Sequence, residues 1–469
     1  MGSGAASRAS WRWLLATGLL CALAAAAGVW GRATYGARVT ADEPQYLLSA
    51  ISIAEDGDLD IADELRAQRW RAFHETRLPE QTKPLPGGRR VSPHDPLLPL
   101  LLAPAVAVGG WVGAKLALAV VAGLLGAATV WVAVRRFDVS PRVASPVAVV
   151  FGASVPLAAY GNQVYPELAA ALAVVAGAGA LTGPLRRAGL WTLGAAVVAL
   201  PWLAVKYAPV AVVLTLLGLM RLWRSPGRRG AAWGLAGGLA AAGLVFVAVH
   251  QAVYGGWTPY AAGDHFVTGE FSVVGFHPDY LGRAQRLAGL LVGRKFGIAA
   301  WQPAWLLAVP ALAALARARP AGWPVLIALV AAGWLNATFV ALTAQGYWMA
   351  GRQVVVILGL AVIAVAWWVE RRVHAVGLFA ALGLLGVVSY LWLMVEASTG
   401  RLTLVVDFWR TANPVYRALR WVLPDYVAPT AWTWPLHWIW VCVLIGLLVL
   451  GWRQAPEPGK KFQKNTLHQ

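Results

Sequence analysis

Long apolar runs recur along this chain, from near its first residues to near its last. A helix of about 20 apolar residues crosses the hydrocarbon core of a bilayer, and about twelve runs approach or exceed that length. They occupy residues 14–30, 111–134, 143–161, 167–184, 188–205, 207–220, 231–253, 302–318, 322–342, 353–369, 374–396 and 434–452. We therefore predict an all-α polytopic membrane protein with about twelve transmembrane helices.

The composition excludes a soluble protein. Hydrophobic residues make up 59% of the 469 residues and charged residues only 13%, whereas an ordinary soluble domain carries about a quarter charged residues. The net charge of +18 comes from basic residues scattered at the ends of the apolar runs. They form no basic patch interleaved with stacking aromatics, so we expect no nucleic-acid partner. Cys21 and Cys442 both fall inside apolar runs, which excludes a disulfide framework.

The distribution of basic residues orients the chain in the membrane. With the N-terminus in the cytoplasm, the arginines between successive spans fall on the cytoplasmic side, as the positive-inside rule requires. Residues 1–452 then form a single transmembrane domain, and the basic tail 453–469 is cytoplasmic, as are both termini. Three long segments, 31–97, 254–301 and 397–433, lie outside the plasma membrane. Because most acidic residues lie there, we expect the chemistry on the extracytoplasmic face.

Two acidic residues follow the first apolar run closely. Asp42 and Glu43 precede a helical pattern at 44–54, whose apolar stripe predicts a helix lying on the membrane surface. A carboxylate at a helix N-terminus is favoured in its ionised form. It could accept a proton from a hydroxyl or bind a divalent cation. Capping of the helix is the alternative for both residues.

A histidine and an acid close the same loop. His94 and Asp95 stand before Pro96 and before the apolar stretch 96–108, which is too short to span and predicts a half-membrane helix ending at Gly109-Gly110. The pair could bind a metal or move a proton. Asp95 before a proline is also a common helix start, and spacing alone favours that interpretation.

Polar residues also stand at the expected outer ends of later spans. Tyr165 and Glu167 cluster at the mouth of one span, where an ionisable group favours a functional role; an interfacial glutamate in contact with water is the alternative. Cations suited to a lipid phosphate are Lys206, Lys115, Arg352 and Arg294. Snorkelling to the interface is the alternative for Lys206 and Lys115, and an interfacial anchor is the alternative for Arg352.

An acidic run in the first loop invites a calcium hypothesis. The run contains Asp56, Asp58, Asp60, Asp63 and Glu64. An EF-hand needs glycine at its sixth position and glutamate at its twelfth, and those positions here are Ile61 and Ala67. The motif is absent, and we predict a solvated loop.

Five short motifs, in their order and topology, resemble the GT-C superfamily of membrane glycosyltransferases. They are Ala41–Tyr46 (ADEPQY), His94–Leu97 (HDPL), Lys115–Ala117 (KLA), Val205–Pro209 (VKYAP) and Leu291–Gly297 (LVGRKFG). The likeness is to the protein O-mannosyltransferase and lipid A aminoarabinose transferase group, and to actinobacterial arabinosyl- and mannosyltransferases. It implies a GT-C-like fold with a helical first extracytoplasmic loop.

The resemblance also implies an activity. A sugar would leave a polyprenyl phosphate, with inversion, for a hydroxyl of a glycan, lipid or protein acceptor on the extracytoplasmic face. Asp42 would be the base, with Glu43 beside it. Orientation of the acceptor or of a divalent cation such as Mg²⁺ or Mn²⁺, which Asp42 and Glu167 could bind, would fall to Glu167, His94, Asp95 and Tyr165. The donor phosphate would be bound by Lys206, Arg352, Arg294 and Lys115.

Two other functions fit the same helices. A transporter or flippase of a lipid-linked sugar would need similar spans and cations, but it should show repeated halves and charges deep in the membrane. No convincing repeat is present, and the acids gather on one face. A non-catalytic membrane assembly subunit would have no need of Asp42 or Glu167.

Overall fold

Helices account for nearly all regular structure in this protein. A computed structural model describes residues 3–266, 269–270, 279–341 and 346–455, which contain isolated β-bridges but no strand. The tail from residue 456 onward, and with it most of the predicted basic segment, lies outside the described residues. The helices are α1 (Ser3–Ala26), α2 (Glu43–Glu55), α3 (Ala62–Arg66), α4 (Leu97–Phe137), α5 (Pro141–Gly152), α6 (Leu157–Tyr160), α7 (Glu167–Thr182), α8 (Arg187–Leu203), α9 (Ala208–Arg224), α10 (Arg229–Tyr254), α11 (Tyr280–Arg283), α12 (Arg286–Val292), α13 (Ala308–Ala318), α14 (Trp323–Leu335), α15 (Val355–Glu370), α16 (Val373–Ser398), α17 (Pro414–Leu419) and α18 (Thr433–Gln454).

The lengths of these helices confirm a multi-pass membrane protein. By length and composition, 7 helical segments of the described chain can cross a membrane. They are Leu97–Phe137, Val205–Arg224, Arg229–Ala262, Trp323–Val340, Arg352–Glu370, Val373–Ser398 and Thr433–Gln454. Four further helices are apolar but shorter: Trp11–Ala26, Glu167–Thr182, Arg187–Leu203 and Pro303–Ala318. Each of these segments overlaps a predicted span.

One predicted span is not a single helix. The run 143–161 is divided into α5 and α6, with a break between Gly152 and Leu157. Pro156 lies in this break; proline has no N–H to donate and disfavours helical backbone at the residue before it. After α6 the chain stays buried and leads directly to Glu167 at the start of α7.

The first half of α4 is a separate helix, as the sequence predicts. Gly110 has φ 56° and ψ −144°, a backbone conformation open almost only to glycine. The helix therefore changes direction there, and residues 97–109 form the predicted half-membrane segment. The remainder of α4 packs against α1, α5 and α7.

Helix α2 forms where predicted, but it does not lie on a surface. All of its residues from Glu43 to Ala50 are buried, and it packs against α4. Tyr46, Leu47 and Leu48 join the main hydrophobic core, because the rest of the first loop covers them. The apolar stripe of α2 thus faces protein rather than lipid.

The centre of the molecule is α15. All of its residues up to Val369 are buried, as expected for a helix that is apolar on every face. Helix α7 packs against it, and α7 is also largely buried. Glu167 is the first residue of α7, and Arg352 lies in the 3₁₀ turn directly before α15, so the core itself fixes the position of both charges.

Candidate active site

Four charged side chains meet at one end of the helical bundle. Asp42 precedes α2, and Glu167 is the first residue of α7. Lys206 lies in the 3₁₀ turn before α9, and Arg352 lies in the 3₁₀ turn before α15. The sequence predicts all four as site residues, and the fold brings together positions that lie up to 310 residues apart.

The four groups form one ion-pair network. Arg352 donates from Nη2 to Asp42 Oδ2 at 2.8 Å and from Nε to Glu167 Oε1 at 2.9 Å. Lys206 Nζ lies 2.7 Å from the same Glu167 oxygen. Two acids and two bases make the network formally neutral, which is how buried charges become tolerable. Glu167 is fully buried, while the side chains of Asp42 and Lys206 keep exposed fractions of 27% and 17%.

Aromatic rings fix the guanidinium of Arg352. Its Cζ lies 3.9 Å from the ring centre of Tyr165 and 4.9 Å from that of Trp348. Both contacts are within cation–π distance. With two carboxylates at its edge and two rings at its faces, Arg352 is held in one orientation.

A chamber of about 480 Å³ opens beside this network, a size typical of small-molecule sites. We call it the central chamber. It is lined by Asp42, Tyr46, Gln81, Pro93, His94, Asp95, Ala204, Val205, Lys206, Pro209, Thr258, Tyr260, His265, Glu270, Asn336, Val340, Ala341, Trp348, Arg352 and Gln353. Apolar residues from the region of α9 and α14 form one part of the lining, and charged residues from the loops form the other.

Asp42 faces this chamber and does not cap α2. It stands at the N-cap position, but its side chain accepts no hydrogen bond from the helix. Burial acts to raise the pKa of Asp42, but Arg352 and its other charged neighbours outweigh burial, and the pKa falls below its usual value. The carboxylate is therefore ionised, as a proton acceptor must be.

Glu43 and Lys115 lie behind the chamber rather than in its lining. Glu43 accepts hydrogen bonds from Val164 N at 2.7 Å and Thr40 N at 3.0 Å. Lys115 donates to the carbonyl of Arg38 at 2.9 Å. Both side chains hold the backbone that leads to Asp42, so the structure gives them positioning contacts in place of the predicted catalytic and phosphate contacts. Burial raises the pKa of Glu43.

His94 and Asp95 both line the chamber, with different surroundings. The His94 ring stacks on Tyr46 at 4.6 Å, and its Nε2 is buried without a hydrogen-bond partner among the described residues. Burial lowers the pKa of His94 to about 4, so the ring is neutral at pH 7. Its free nitrogen is available to a ligand hydroxyl.

Asp95 is the anchor of the Lys206 turn. Its Oδ2 accepts from Val205 N at 3.0 Å, and its Oδ1 lies 3.2 Å from His250 Nε2. It does not cap α4, which begins after Pro96 without a side-chain cap, so the predicted cap is wrong. Burial raises the pKa of Asp95.

Three more predicted residues lie outside the chamber lining, and one of them, Glu167, adjoins it through Lys206 and Arg352. Arg294 donates to the carbonyl of Leu423 and pairs with Asp425 at 3.5 Å, so its phosphate contact is not formed here. Tyr165 contributes only its ring, beneath Arg352.

Sequence reasoning missed several lining residues. Asn336 donates to the carbonyl of Lys206 at 2.9 Å, and its Oδ1 is buried without a partner among the described residues. A lone amide inside the apolar run 322–342 was a signal, because polar groups in spans are costly and mark function. His265 and Glu270 lie in the second long loop, where no apolar periodicity points to individual residues.

Comparison with known proteins identifies the fold. No family model matches the chain, and no curated protein matches it. Two crystal structures of ArnT from Cupriavidus metallidurans do resemble it. The one bound to undecaprenyl phosphate has a TM-score of 0.52 at 13% identity, covering 96% of this chain and 78% of ArnT. The apo structure has a TM-score of 0.51 at 14% identity, with coverages of 94% and 78%. At this level of identity the likeness establishes the fold: the chain has a fold similar to that of ArnT.

Proposed function

We propose that this protein is an inverting glycosyltransferase that moves a sugar from a polyprenyl phosphate to an acceptor hydroxyl on the extracytoplasmic face of the membrane. The observation that carries the proposal is one chamber with Asp42 in its lining and with Lys206 and Arg352 beside it. If Asp42 pointed into bulk water, with no cavity joining it to these cations, the helical bundle alone would not support an enzymatic function. The undecaprenyl phosphate bound in the ArnT crystal structure supports a donor of this class.

The two parts of the chamber lining suit the two parts of such a donor. Pro209, Val340 and Ala341 are apolar and lie in or beside membrane helices, where a polyprenyl chain would be solvated. Lys206 is the more exposed cation, and it would contact the phosphate directly. Arg352 is fixed by its carboxylates and rings, so it would contribute charge from a set position.

The chemistry then needs one displacement. Asp42 accepts the proton of the acceptor hydroxyl while that oxygen attacks the anomeric carbon. The bond between that carbon and the phosphate oxygen breaks, and the phosphate leaves on the polyprenyl chain with the bonding electrons. Lys206 and Arg352 stabilise the charge that develops on the phosphate. Attack opposite to the leaving group inverts the anomeric centre.

Glu167, His94 and Asp95 would support this step. Glu167 contacts both cations and so sets how much of their charge remains for the phosphate. The free Nε2 of neutral His94 would accept from or donate to a sugar hydroxyl. Asp95 would hold Lys206 in place through its turn.

The predicted Mg²⁺ or Mn²⁺ at Asp42 and Glu167 would compete with Arg352 for their oxygens. Each carboxylate has one oxygen within 2.9 Å of the guanidinium, and no third metal-ligating side chain joins them among the described residues. The donor set therefore fits a cation poorly, and the proposed mechanism has no step that uses one.

A transfer assay separates enzyme from transporter. Protein purified into nanodiscs would be supplied with a radiolabelled polyprenyl-phosphate sugar and with cell-envelope acceptors. Release of polyprenyl phosphate with label in the acceptor supports the proposal. Movement of intact donor across the membrane of proteoliposomes, without transfer, would instead favour the flippase. If neither transfer nor movement is detected, the assembly subunit is favoured.

A further inference from the structure

Three acidic residues of the first loop converge on one point outside the central chamber. Asp56 ends α2, and Asp63 and Glu64 lie in α3. One carboxylate oxygen of each lies within 4.8 Å of the others. We call this set the α2–α3 acidic cluster. The sequence predicts a solvated loop here, but Glu64 is only 3% exposed.

The spacing of these oxygens suits a single cation. Calcium binds oxygen ligands at about 2.3–2.6 Å, so two of its ligands lie at most about 5 Å apart. All pairs in the cluster meet this limit. Among the described residues, it is the one group of three or more histidine, cysteine or acidic side chains with that property.

The buried side chain of Glu64 also points to a bound cation. Its Oε2 is buried and has no hydrogen-bond partner among the described residues. A buried carboxylate oxygen with nothing to bind costs free energy unless a proton or a cation reaches it.

The neighbouring arginines do not neutralise the cluster. Arg69, on the turn after α3, binds both oxygens of Glu55 at 2.7 and 2.5 Å. Arg66 ends α3 and forms no salt bridge with Asp56, Asp63 or Glu64. The three carboxyl groups therefore lie close together with positive charge nearby but, in the described part of the chain, with no salt bridge to any of them.

We propose that the α2–α3 acidic cluster binds a hard divalent cation of the calcium kind, which joins the C-terminal end of α2 to α3. An all-oxygen donor set disfavours Zn²⁺, which prefers nitrogen and sulfur, and three carboxylates without octahedral arrangement suit Ca²⁺ better than Mg²⁺. The role of the cation is structural: it would fix the end of α2 at Asp56, and the opposite end of the same helix directly follows Asp42. The proposal does not depend on the glycosyltransferase function.

Calcium binding and thermal unfolding of the full-length protein test this. The purified, EDTA-treated protein would be titrated with CaCl₂ in detergent at pH 7.5. We expect about one bound Ca²⁺ per chain by radioactive calcium binding, and a rise in Tm of several degrees. Glu64→Gln, which keeps the size of the side chain, should lose both. Asp56 is exposed, so Asp56→Asn leaves the core intact, and this variant should weaken Ca²⁺ binding at least 10-fold.

Glu75→Gln is the matched control. Glu75 is an exposed acid of the same loop, paired with Arg32 and outside the cluster, so this variant should bind calcium like the wild type. Absence of bound Ca²⁺ in the wild type would overturn the proposal. So would equal binding and an equal Tm rise in Glu64→Gln and Asp56→Asn, which would place the cation elsewhere.

Discussion

Asp42 is placed by one ion pair and by the turn before α2, so its charge can be changed with little effect on packing. Asp42→Asn keeps the size of the side chain and a hydrogen-bond acceptor for Arg352, but it cannot take a proton. We expect transfer to fall at least about 100-fold, with an unchanged Tm. The measurement is the single-turnover transfer rate in nanodiscs, with Glu75→Gln as the control. Near wild-type transfer by Asp42→Asn would remove the base assignment.

Lys206 and Arg294 are both predicted to bind phosphate, but only Lys206 lines the central chamber. We expect Lys206→Ala to raise the KM for the polyprenyl donor at least about 10-fold, because it removes the accessible charge next to the leaving group. Arg294→Ala breaks the pair with Asp425 instead and should leave that KM unchanged. Donor-dependent steady-state kinetics would compare the two. Equal KM values for Lys206→Ala and wild type would count against the phosphate role.

The charge states at the chamber set the pH dependence. Arg352 lowers the pKa of Asp42 against the effect of burial, so Asp42 stays ionised through neutral pH. The enzyme should lose activity through this group only when the pH falls to the low pKa of Asp42. His94, with a pKa of about 4, stays neutral over the same range. We expect kcat/KM to show no acid limb from these groups between about pH 5 and 8. A limb near pH 6.5 that Asp42→Glu displaces would contradict this.

At the scale of elements, the break in α4 offers a test of backbone strain alone. A Cβ added at Gly110 meets no atom within 4 Å, yet its φ is 56°. We expect Gly110→Ala to lower the free energy of unfolding by about 1–3 kcal/mol. Gly109→Ala also meets nothing within 4 Å, at a residue without positive φ, and should be neutral or stabilising. Unfolding in detergent measures both. Equal stability of the two variants would argue that α4 runs on without the break.

Element boundaries follow from the sequence wherever a local signal exists. The acids and prolines place α2 within one residue of its predicted limits, and Gly109-Gly110 places the break in α4. The interior position of α2 has no such signal, since an apolar stripe suits protein and lipid equally. The division of 143–161 was missed because the apolar length of the run outweighed its prolines, of which Pro146 stays inside α5 and Pro156 lies at the break.

At the scale of the whole molecule, the sequence predicts which charges matter better than what each one touches. Asp42, Glu167, Lys206 and Arg352 meet as a network because α7 and α15 pack at the centre, and only tertiary structure decides that. Glu43 and Lys115 look equivalent to these residues in the sequence. They bind backbone instead, because their helix positions turn them away from the chamber.

The final prediction concerns the route by which a lipid reaches the chamber. If the apolar part of the lining admits the polyprenyl chain, then Val340→Trp should obstruct it, because Val340 lines the chamber at the end of a membrane helix and is 37% exposed. We expect affinity for undecaprenyl phosphate in nanodiscs to fall at least about 10-fold at unchanged Tm. Val245→Trp, on the exposed face of α10 and outside the lining, is the control. Equal affinities of Val340→Trp and wild type would mean that the lipid donor enters elsewhere. The apolar part of the lining would then contact the acceptor instead of the polyprenyl chain.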